Sequence, residues 1–393
     1  MAVAFPHIGH SGSGAVPLAW RSLTASKRRL FRSSAGIGFA VLLMLMQLGF
    51  EKAFFDASLQ VLRGLDGDIF LQSAHKYQFA TQDPFPLAVL AIAKPIPGVT
   101  SARPLYAAWF DLFWKNPFVG KLFLVRGFAF DPDAPVFLFP AVNAQRDRLK
   151  TADTVLVDRR GRRFLGMDRP AAKSELNGTT VNIAGGFSLG PDFTSDGTVI
   201  MSDRTFANLV RSGGKGLPGV ELGVLKLAPG ADRAIVQAAL KKALPMNIAV
   251  MTKAQLIAFE RSFQADVSSA GPIFAIGTIV GFIVGVLISY QITFTEISDQ
   301  LPQYATLKAI GYPTSYLLRV VLEQSALNAI AGWFPAWLLG LVLYRLIARI
   351  ALLPMQMSFG ITVLSLGLTL GMCLISAAIA VRRVIRADPA AVF

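Results

Sequence analysis

The chain has 393 residues, 53% of them hydrophobic, with a net charge of +14 and a single cysteine. One cysteine excludes an intrachain disulfide and a cysteine-based metal cluster. Only half of the net charge lies between Lys52 and Asp266, where 26 basic residues face 19 acidic ones. The rest flanks apolar stretches, where positive charge sets membrane orientation, so we do not expect nucleic-acid binding.

Four stretches almost free of charge are long enough to cross a hydrocarbon layer of about 30 Å as helices. We assign them as transmembrane helices at 33–55, 267–295, 320–344 and 358–381. The predicted fold class is a membrane protein with four transmembrane α-helices in a 1+3 layout. A large α+β extracytoplasmic domain, 56–266, lies between the first and second spans.

The basic residues predict the orientation. Segment 1–32, read as an amphipathic helix over Val16–Phe31, carries Arg and Lys but no acid, and tail 382–393 has three arginines. Basic residues next to spans stay on the cytoplasmic side. Both termini are therefore predicted to be cytoplasmic in a multi-pass protein of the cytoplasmic (inner) membrane, with 296–319 as a cytoplasmic loop and 345–357 as a short outer loop.

Helical spacing continues beyond the first span and precedes the second. We predict two antiparallel stalk helices, the first ending near Gly64–Gly67, that carry the domain away from the bilayer. The residues expected to pack between them are Phe55, Leu59, Leu62, Leu256, Phe259 and Phe263.

The domain between the stalks mixes strands with isolated helices, which favours an α+β fold. Strands are predicted at 68–71, 122–125, 136–139, 154–157, 181–183, 198–201 and 224–227. Asp203–Val210 and Asp232–Leu244 are predicted helices, each beginning at an aspartate. The basic run 158–163 is read as a solvated hairpin turn, with contact to an acidic partner or lipid headgroup as the alternative.

The loop before the third span gives the sharpest local signal. Gln303–Ile310 is helical by propensity, Gly311 stands where a left-handed cap is wanted, and Pro313 can begin the next helix. A helix held there is a natural docking surface for a cytoplasmic protein. The predicted contact residues are Gln303, Tyr304, Leu307, Lys308, Ile310, Gly311 and Tyr312.

Within the spans, Gly277, Gly281 and Gly285 have the spacing of a helix-packing face. Glu323 and Arg319 are expected to form an ion pair near the interface. The sequence lacks a phosphate-binding loop, because Gly216 follows Gly214-Lys215 where Ser or Thr is needed. Neither a catalytic set nor a metal motif is present, so we expect no enzyme activity and no bound metal or cofactor.

Several segments resemble the FtsX/MacB class of ABC-transporter permeases, and within it the DevC subfamily. They are Pro17–Trp20 with the basic run to Arg32, Ala35–Ala40, Met46–Phe50, Leu65–Ile69, Tyr304–Gly311, Tyr316–Val320 and Arg382–Pro389. Where such loops often carry an acid just before the alanine, this chain has Tyr304, preceded by Gln303.

The resemblance implies a homodimer that works with a separate cytoplasmic ABC ATPase, which binds ATP and Mg²⁺. It also implies a periplasmic membrane-fusion adaptor, an outer-membrane channel and a lipid, glycolipid or other hydrophobic substrate. The resemblance also implies that the ATPase is coupled to the permease by ATP-driven motion, which is transmitted to the extracytoplasmic domains. Two alternatives stay open: an FtsX-type regulator of an extracytoplasmic hydrolase that transports nothing, and a membrane-anchored enzyme.

Overall fold

The computed structural model describes residues 27–212, 219–268 and 270–381. Most of the predicted amphipathic helix Val16–Phe31 and all of tail 382–393 lie outside these ranges. The helices are α1 (Lys27–Arg63), α2 (Ala88–Ala93), α3 (Pro140–Asn143), α4 (Asp203–Ser212), α5 (Arg233–Ala243), α6 (Lys253–Ser262), α7 (Ala270–Asp299), α8 (Leu301–Ala309), α9 (Thr314–Ala351) and α10 (Phe359–Ala380). The strands are β1 (Ile69–Ser73), β2 (Val99–Ala108), β3 (Phe113–Lys115), β4 (Leu122–Leu124), β5 (Arg126–Phe130), β6 (Thr154–Asp158), β7 (Lys173–Leu176), β8 (Thr179–Phe187), β9 (Thr198–Ser202), β10 (Leu222–Leu227) and β11 (Ile248–Thr252).

The chain divides into two compact units. The helical unit comprises the residues up to Gly49, Ala275–Tyr344 and those from Met357 onward. The mixed unit comprises Phe50–Phe274 and Arg345–Gln356. The sequence order therefore places a large α+β domain between the first and second long helices.

Four helices in the described ranges are long and apolar enough to cross a membrane: Phe31–Arg63, Gly271–Asp299, Ser315–Ala351 and Phe359–Ala380. The chain is a multi-pass membrane protein. The helices extend beyond the predicted spans, because the residues that follow the apolar stretches also favour the helical conformation. Thus α7 continues to Asp299 instead of stopping at Thr295, and α9 continues to Ala351 within the segment predicted as an outer loop.

The mixed unit is built on one sheet with the order β11-β1-β10-β2-β5-β9-β6-β8-β7-β3-β4 among the described residues. Most neighbours are antiparallel, whereas β5–β9 and β6–β8 are parallel. Successive residues of the central strands enter different apolar clusters: Val155 and Val157 enter one, and Leu156 the other. Since successive side chains of a strand point to opposite faces, the central sheet is buried on both sides.

Helices cover the two faces of this sheet. The first cluster includes residues of α2, α4 and α5, such as Leu90, Phe206 and Leu240. The second includes Leu62 from the end of α1 and Leu256 from α6. Helix α5 begins at Asp232, whose Oδ1 accepts the backbone N–H of Ala234 at 2.7 Å, and α6 begins with a capping box between Thr252 and Gln255.

Two predictions for this domain are wrong. Residues 136–139 form no regular strand: Phe137 makes only an isolated bridge to Leu65, because Pro135 and Pro140 confine the extended stretch. The run 158–163 is not a hairpin turn, since β6 lies parallel to β8 and the chain crosses over between them. Asp158 is fully buried and its carboxylate accepts backbone N–H groups of Leu189, Gly190 and Arg160.

Glu260 on α6 is a buried carboxyl group with no ion pair among the described residues. Its oxygens accept the backbone N–H of Phe79 at 2.7 Å and the side-chain amide of Gln264 at 3.0 Å. Burial raises the pKa of the Glu260 carboxyl above its ordinary value of 4.5, against the opposing effect of these two donors.

This raised pKa predicts a pH-dependent difference between the natural chain and Glu260→Gln. Below pH 4.5 the Glu260 carboxyl is protonated in both the folded and the unfolded states. The stability that the protonated, buried carboxyl contributes is then fully present. As pH rises through the folded pKa, that contribution is lost. We expect the melting temperature of Glu260→Gln, relative to the natural chain, to increase from acidic to neutral pH. A difference that does not change with pH would contradict the assignment.

Candidate functional site

The short helix α8 lies where the sequence places the docking loop. It runs from Leu301 to Ala309, with Pro302 in its first turn. Gly311 follows with φ +102°, the left-handed region expected for the cap, and a Cβ added there would meet nothing within 4 Å. Glycine is therefore favoured at this turn because of its positive φ, and not because a larger side chain would clash with neighbouring atoms.

The predicted contact residues of α8 divide into two sets. Tyr304 is buried and Leu307 is half-buried, and both pack against an apolar cluster containing Leu317 of α9 and Ala377 of α10. Gln303, Ile310 and Tyr312 are exposed, with 71% exposure for Ile310. The buried set fixes α8 to its own unit, and the exposed set is free to meet another protein.

A buried polar cluster joins three long helices of the same unit. Glu296 of α7 accepts from Asn328 at 3.0 and 3.2 Å and from Gln324 at 3.2 Å, both on α9. The Ser33 hydroxyl of α1 donates to the Asn328 side-chain oxygen at 3.4 Å. All four residues are at most 6% exposed. We call Ser33, Glu296, Gln324 and Asn328 the polar cluster.

A second contact connects α8 with the end of α7. The Tyr304 hydroxyl donates to the side-chain oxygen of Gln300 at 3.1 Å, and the Gln300 N–H donates to the carbonyl of Glu296 at 3.2 Å. Gln300 lies one turn after Glu296. A shift of α8 would therefore act directly on the end of α7 that holds the polar cluster.

Sequence reasoning missed this cluster, since it placed Glu296 at the start of a loop. Because α7 continues to Asp299, Glu296 is a helical residue, 6% exposed. Gln324 and Asn328, four residues apart in an apolar helix, were the available signal, because polar side chains inside membrane helices seek partners. Arg319 and Glu323 form the expected ion pair at 2.8 Å.

The three glycines of α7 lie against other helices of the unit. A Cβ added to Gly277 would meet Gln47 at 2.6 Å, and one added to Gly281 would meet Met44 at 3.2 Å. At Gly285 it would meet Met372 at 2.3 Å and Ala40 at 3.3 Å. The missing side chains thus permit close approach of α1 and α10 to α7.

The residues predicted to pack between the stalks lie in the mixed unit, and the structure brings some of them together. Leu59, Leu62 and Leu256 belong to one buried cluster. The Arg261 guanidinium lies 5.6 Å from the centre of the Phe55 ring. By contrast, Phe263 packs on Tyr77, and Phe259 lines an open groove beside β11.

The described residues hold no group of three His, Cys, Asp or Glu side chains that could bind a metal ion. The geometry at α8 and the polar cluster is instead that of a helix junction: an exposed contact face, an apolar anchor and buried hydrogen bonds between helices.

Comparison with known proteins identifies the part of the chain that carries this junction. Residues 275–389 match the family model described as FtsX-like permease C-terminal. The match covers the C-terminal part of the chain, 115 of its 393 residues. The predicted FtsX-type permease resemblance is thereby confirmed for residues 275–389, and α8 with most of the polar cluster lies inside this FtsX-like region. An ABC ATPase is the general partner of this class.

Among solved structures, the chain is similar to the periplasmic region of MacB from Actinobacillus actinomycetemcomitans. The match has 10% sequence identity and a TM-score of 0.36, and it covers 52% of this chain and 95% of that one. Comparison with curated proteins gave no match.

Proposed function

We propose that this chain is the membrane subunit of an ABC-type exporter and couples ATP hydrolysis on a separate ATPase to motion of its extracytoplasmic domain. The observation that carries the proposal is the FtsX-like region, 275–389, with α8 at the junction of three long helices. ATP and Mg²⁺ belong to the partner, and the chain itself is neither an enzyme nor a cofactor-binding protein.

The exposed side of α8 is the proposed contact with the ATPase. Ile310 and Tyr312 present apolar surface there, at 71% and 44% exposure. Since exposed large apolar side chains in a cluster mark interaction sites, these two residues supply the central contact. Gln303 and Lys308 form its polar border. Positive charge next to the spans supports a cytoplasmic position for α8 and both termini, in the inner membrane.

Transmission follows from the hydrogen bonds of the helical unit. Movement of α8 acts on α7 through Tyr304 and Gln300, and Asn328 links α7 to α9 through Glu296. Helix α7 is preceded in sequence by α6, which packs in the mixed unit. ATP-driven movement at α8 is thus proposed to reach the extracytoplasmic domain along continuous chain.

The remaining assignments rest on the DevC resemblance. The chain is proposed to act as a homodimer with a periplasmic adaptor and an outer-membrane channel. The proposed substrate is a lipid, glycolipid or other hydrophobic molecule. The buried glycine contacts of α7 support mechanical transmission rather than passage of a substrate between α7 and α1.

Reporter fusions and co-purification test the proposal together. Fusions at Gly190 should report outside, and fusions at Gln300 and after Phe393 should report inside. The chain should co-purify with an ABC ATPase from its own cells and stimulate ATP hydrolysis in membranes. An inside signal at Gly190 would overturn the layout. If the ATPase binds, but removal of this chain abolishes cell-wall hydrolysis and leaves export unchanged, the regulatory alternative is favoured.

A further inference from the structure

The hairpin at one end of the sheet carries an exposed apolar surface. In the ladder, Phe113 lies opposite Leu124 and Lys115 lies opposite Leu122, so these side chains share one face. Phe118 and Val119 form the tip between the strands. We call Phe113, Phe118, Val119, Leu122 and Leu124 the hairpin patch; each is between 39% and 62% exposed.

The hairpin patch is held by a buried anchor on the opposite face. Trp114 is fully buried and its indole N–H donates to the Leu165 carbonyl at 3.0 Å. The Asn116 side-chain oxygen accepts from the N–H groups of Phe118 and Val119 at 2.8 and 3.1 Å. Its amide donates to the Phe164 carbonyl at 2.7 Å. These hydrogen bonds therefore fix the conformation of the tip and hold the Phe118 and Val119 side chains outward.

The patch ends in an unpaired strand edge. Strand β4 is the last strand of the sheet among the described residues and pairs only with β3. An edge strand offers free backbone N–H and C=O groups, which an extended polypeptide can pair with and a lipid cannot. An apolar surface continuous with such an edge favours a protein segment as the occupant.

The surroundings of the patch are basic. The cations on the hairpin and on the segment from Arg163 to Lys173 outnumber the nearby carboxylates by five to three: Lys115, Lys121, Arg163, Arg169 and Lys173 against Asp111, Asp168 and Glu175. Lys115 is paired with Glu175 at 2.7 Å, and the Arg169 guanidinium lies 5.5 Å from the Phe118 ring centre. A second copy of this surface would bring like charges together, whereas an acidic partner complements them.

We infer that the hairpin patch binds an extended segment of a different protein, with alternating acidic and apolar residues, which adds a strand beside β4. Apolar side chains of that segment cover Leu122 and Leu124, and its carboxylates meet Lys121. Lys173, on β7 and two strands away from β4, adds positive charge to the surroundings. The inference rests on the proposed function only in placing this partner outside the cytoplasm.

Site-specific photocrosslinking in intact cells tests the inference. The full chain carries a benzophenone side chain at Phe118 or Leu122, or at Ile235 of α5 as the matched exposed control. We expect one protein adduct from both patch positions and none from Ile235, with the crosslink mapped to an extended acidic–apolar segment. Adducts with lipid alone, with a second copy of this chain, or equally from Ile235 would each overturn the inference.

Charge reversal supplies the second arm. Lys121→Glu with Lys173→Glu should lower the adduct yield about tenfold, because two complementary charges are reversed. Lys241→Glu with Lys242→Glu, exposed on α5, should leave the yield unchanged. An unchanged yield in the first pair would overturn the inference. The Gly190 reporter fusion tests the placement separately, so failure of the layout is distinguished from failure of the patch.

Discussion

Replacing Lys76 with methionine is expected to lower the free energy of unfolding by about 3–5 kcal/mol, the cost of leaving a buried charge without its partner. The Lys76 side chain is completely buried and pairs with the Glu221 carboxylate, which is 5% exposed. It also donates to the Glu221 carbonyl at 3.2 Å. Burial already raises the pKa of Glu221, and the Lys76 charge opposes that shift. Without Lys76, folding must bury an uncompensated carboxylate or protonate it.

Thermal melting of the purified full chain measures this effect. For a unit of this size, the expected loss corresponds to a decrease in melting temperature of roughly 6–20 °C. Lys150→Met is the matched control, because Lys150 is 48% exposed and its partners Asp133 and Asp147 are also exposed. Adding Glu221→Leu to Lys76→Met should restore most of the stability. A double variant as unstable as the single one would contradict the ion-pair explanation.

Replacing Ile310 with aspartate should weaken binding of the partner ATPase by about tenfold to more than a hundredfold. That range corresponds to about 1.5–3 kcal/mol, the value of a fully buried aliphatic side chain. Leu307→Asp is a poorer test, since Leu307 is half-buried against the cluster of α9 and α10. Ile310 is 71% exposed, so its substitution should leave the abundance of the membrane protein unchanged.

Binding of the purified ATPase to the chain in nanodiscs gives the measurement, with Ile310→Leu as the apolar control. Gly311→Val should keep the contact residues but strain a backbone that lies at φ +102°. It should therefore reduce ATP-driven export more than it reduces ATPase binding, and Gly311→Asn should be milder. Normal binding and normal export in both Ile310→Asp and Gly311→Val would remove the coupling role of α8.

Local sequence signals predicted the long helices and the helix starts well. The apolar lengths indicated the four membrane helices, and Asp232 and Gly311 marked a helix start and a helix end that the structure contains. These features depend on residues close in sequence. The strand at 99–108 was missed because Pro104 argues against a strand. The structure tolerates Pro104 because β2 pairs with β5 only from Tyr106 onward.

The contacts that define the candidate site could not be predicted in the same way. Asn328 finds Glu296 across 32 residues and Ser33 across 295, and nothing in the local pattern of any of the three specifies the partner. The exposure of the hairpin patch could not be predicted for the same reason. The alternation in residues 113–115 and 122–124 does not show which face of the hairpin the rest of the domain covers. Substrate identity leaves no recognisable residue pattern in the chain.

The glycine face of α7 also restricts where anything could pass through the helical unit. Along three consecutive turns, one added carbon atom would overlap Gln47, crowd Met44 or overlap Met372. With these side chains in place, the seam between α7 and its neighbours α1 and α10 leaves no space at these positions for a file of water, an ion or an acyl chain. Passage along this face of α7 therefore requires the side chains of Gln47, Met44 or Met372 to move aside first.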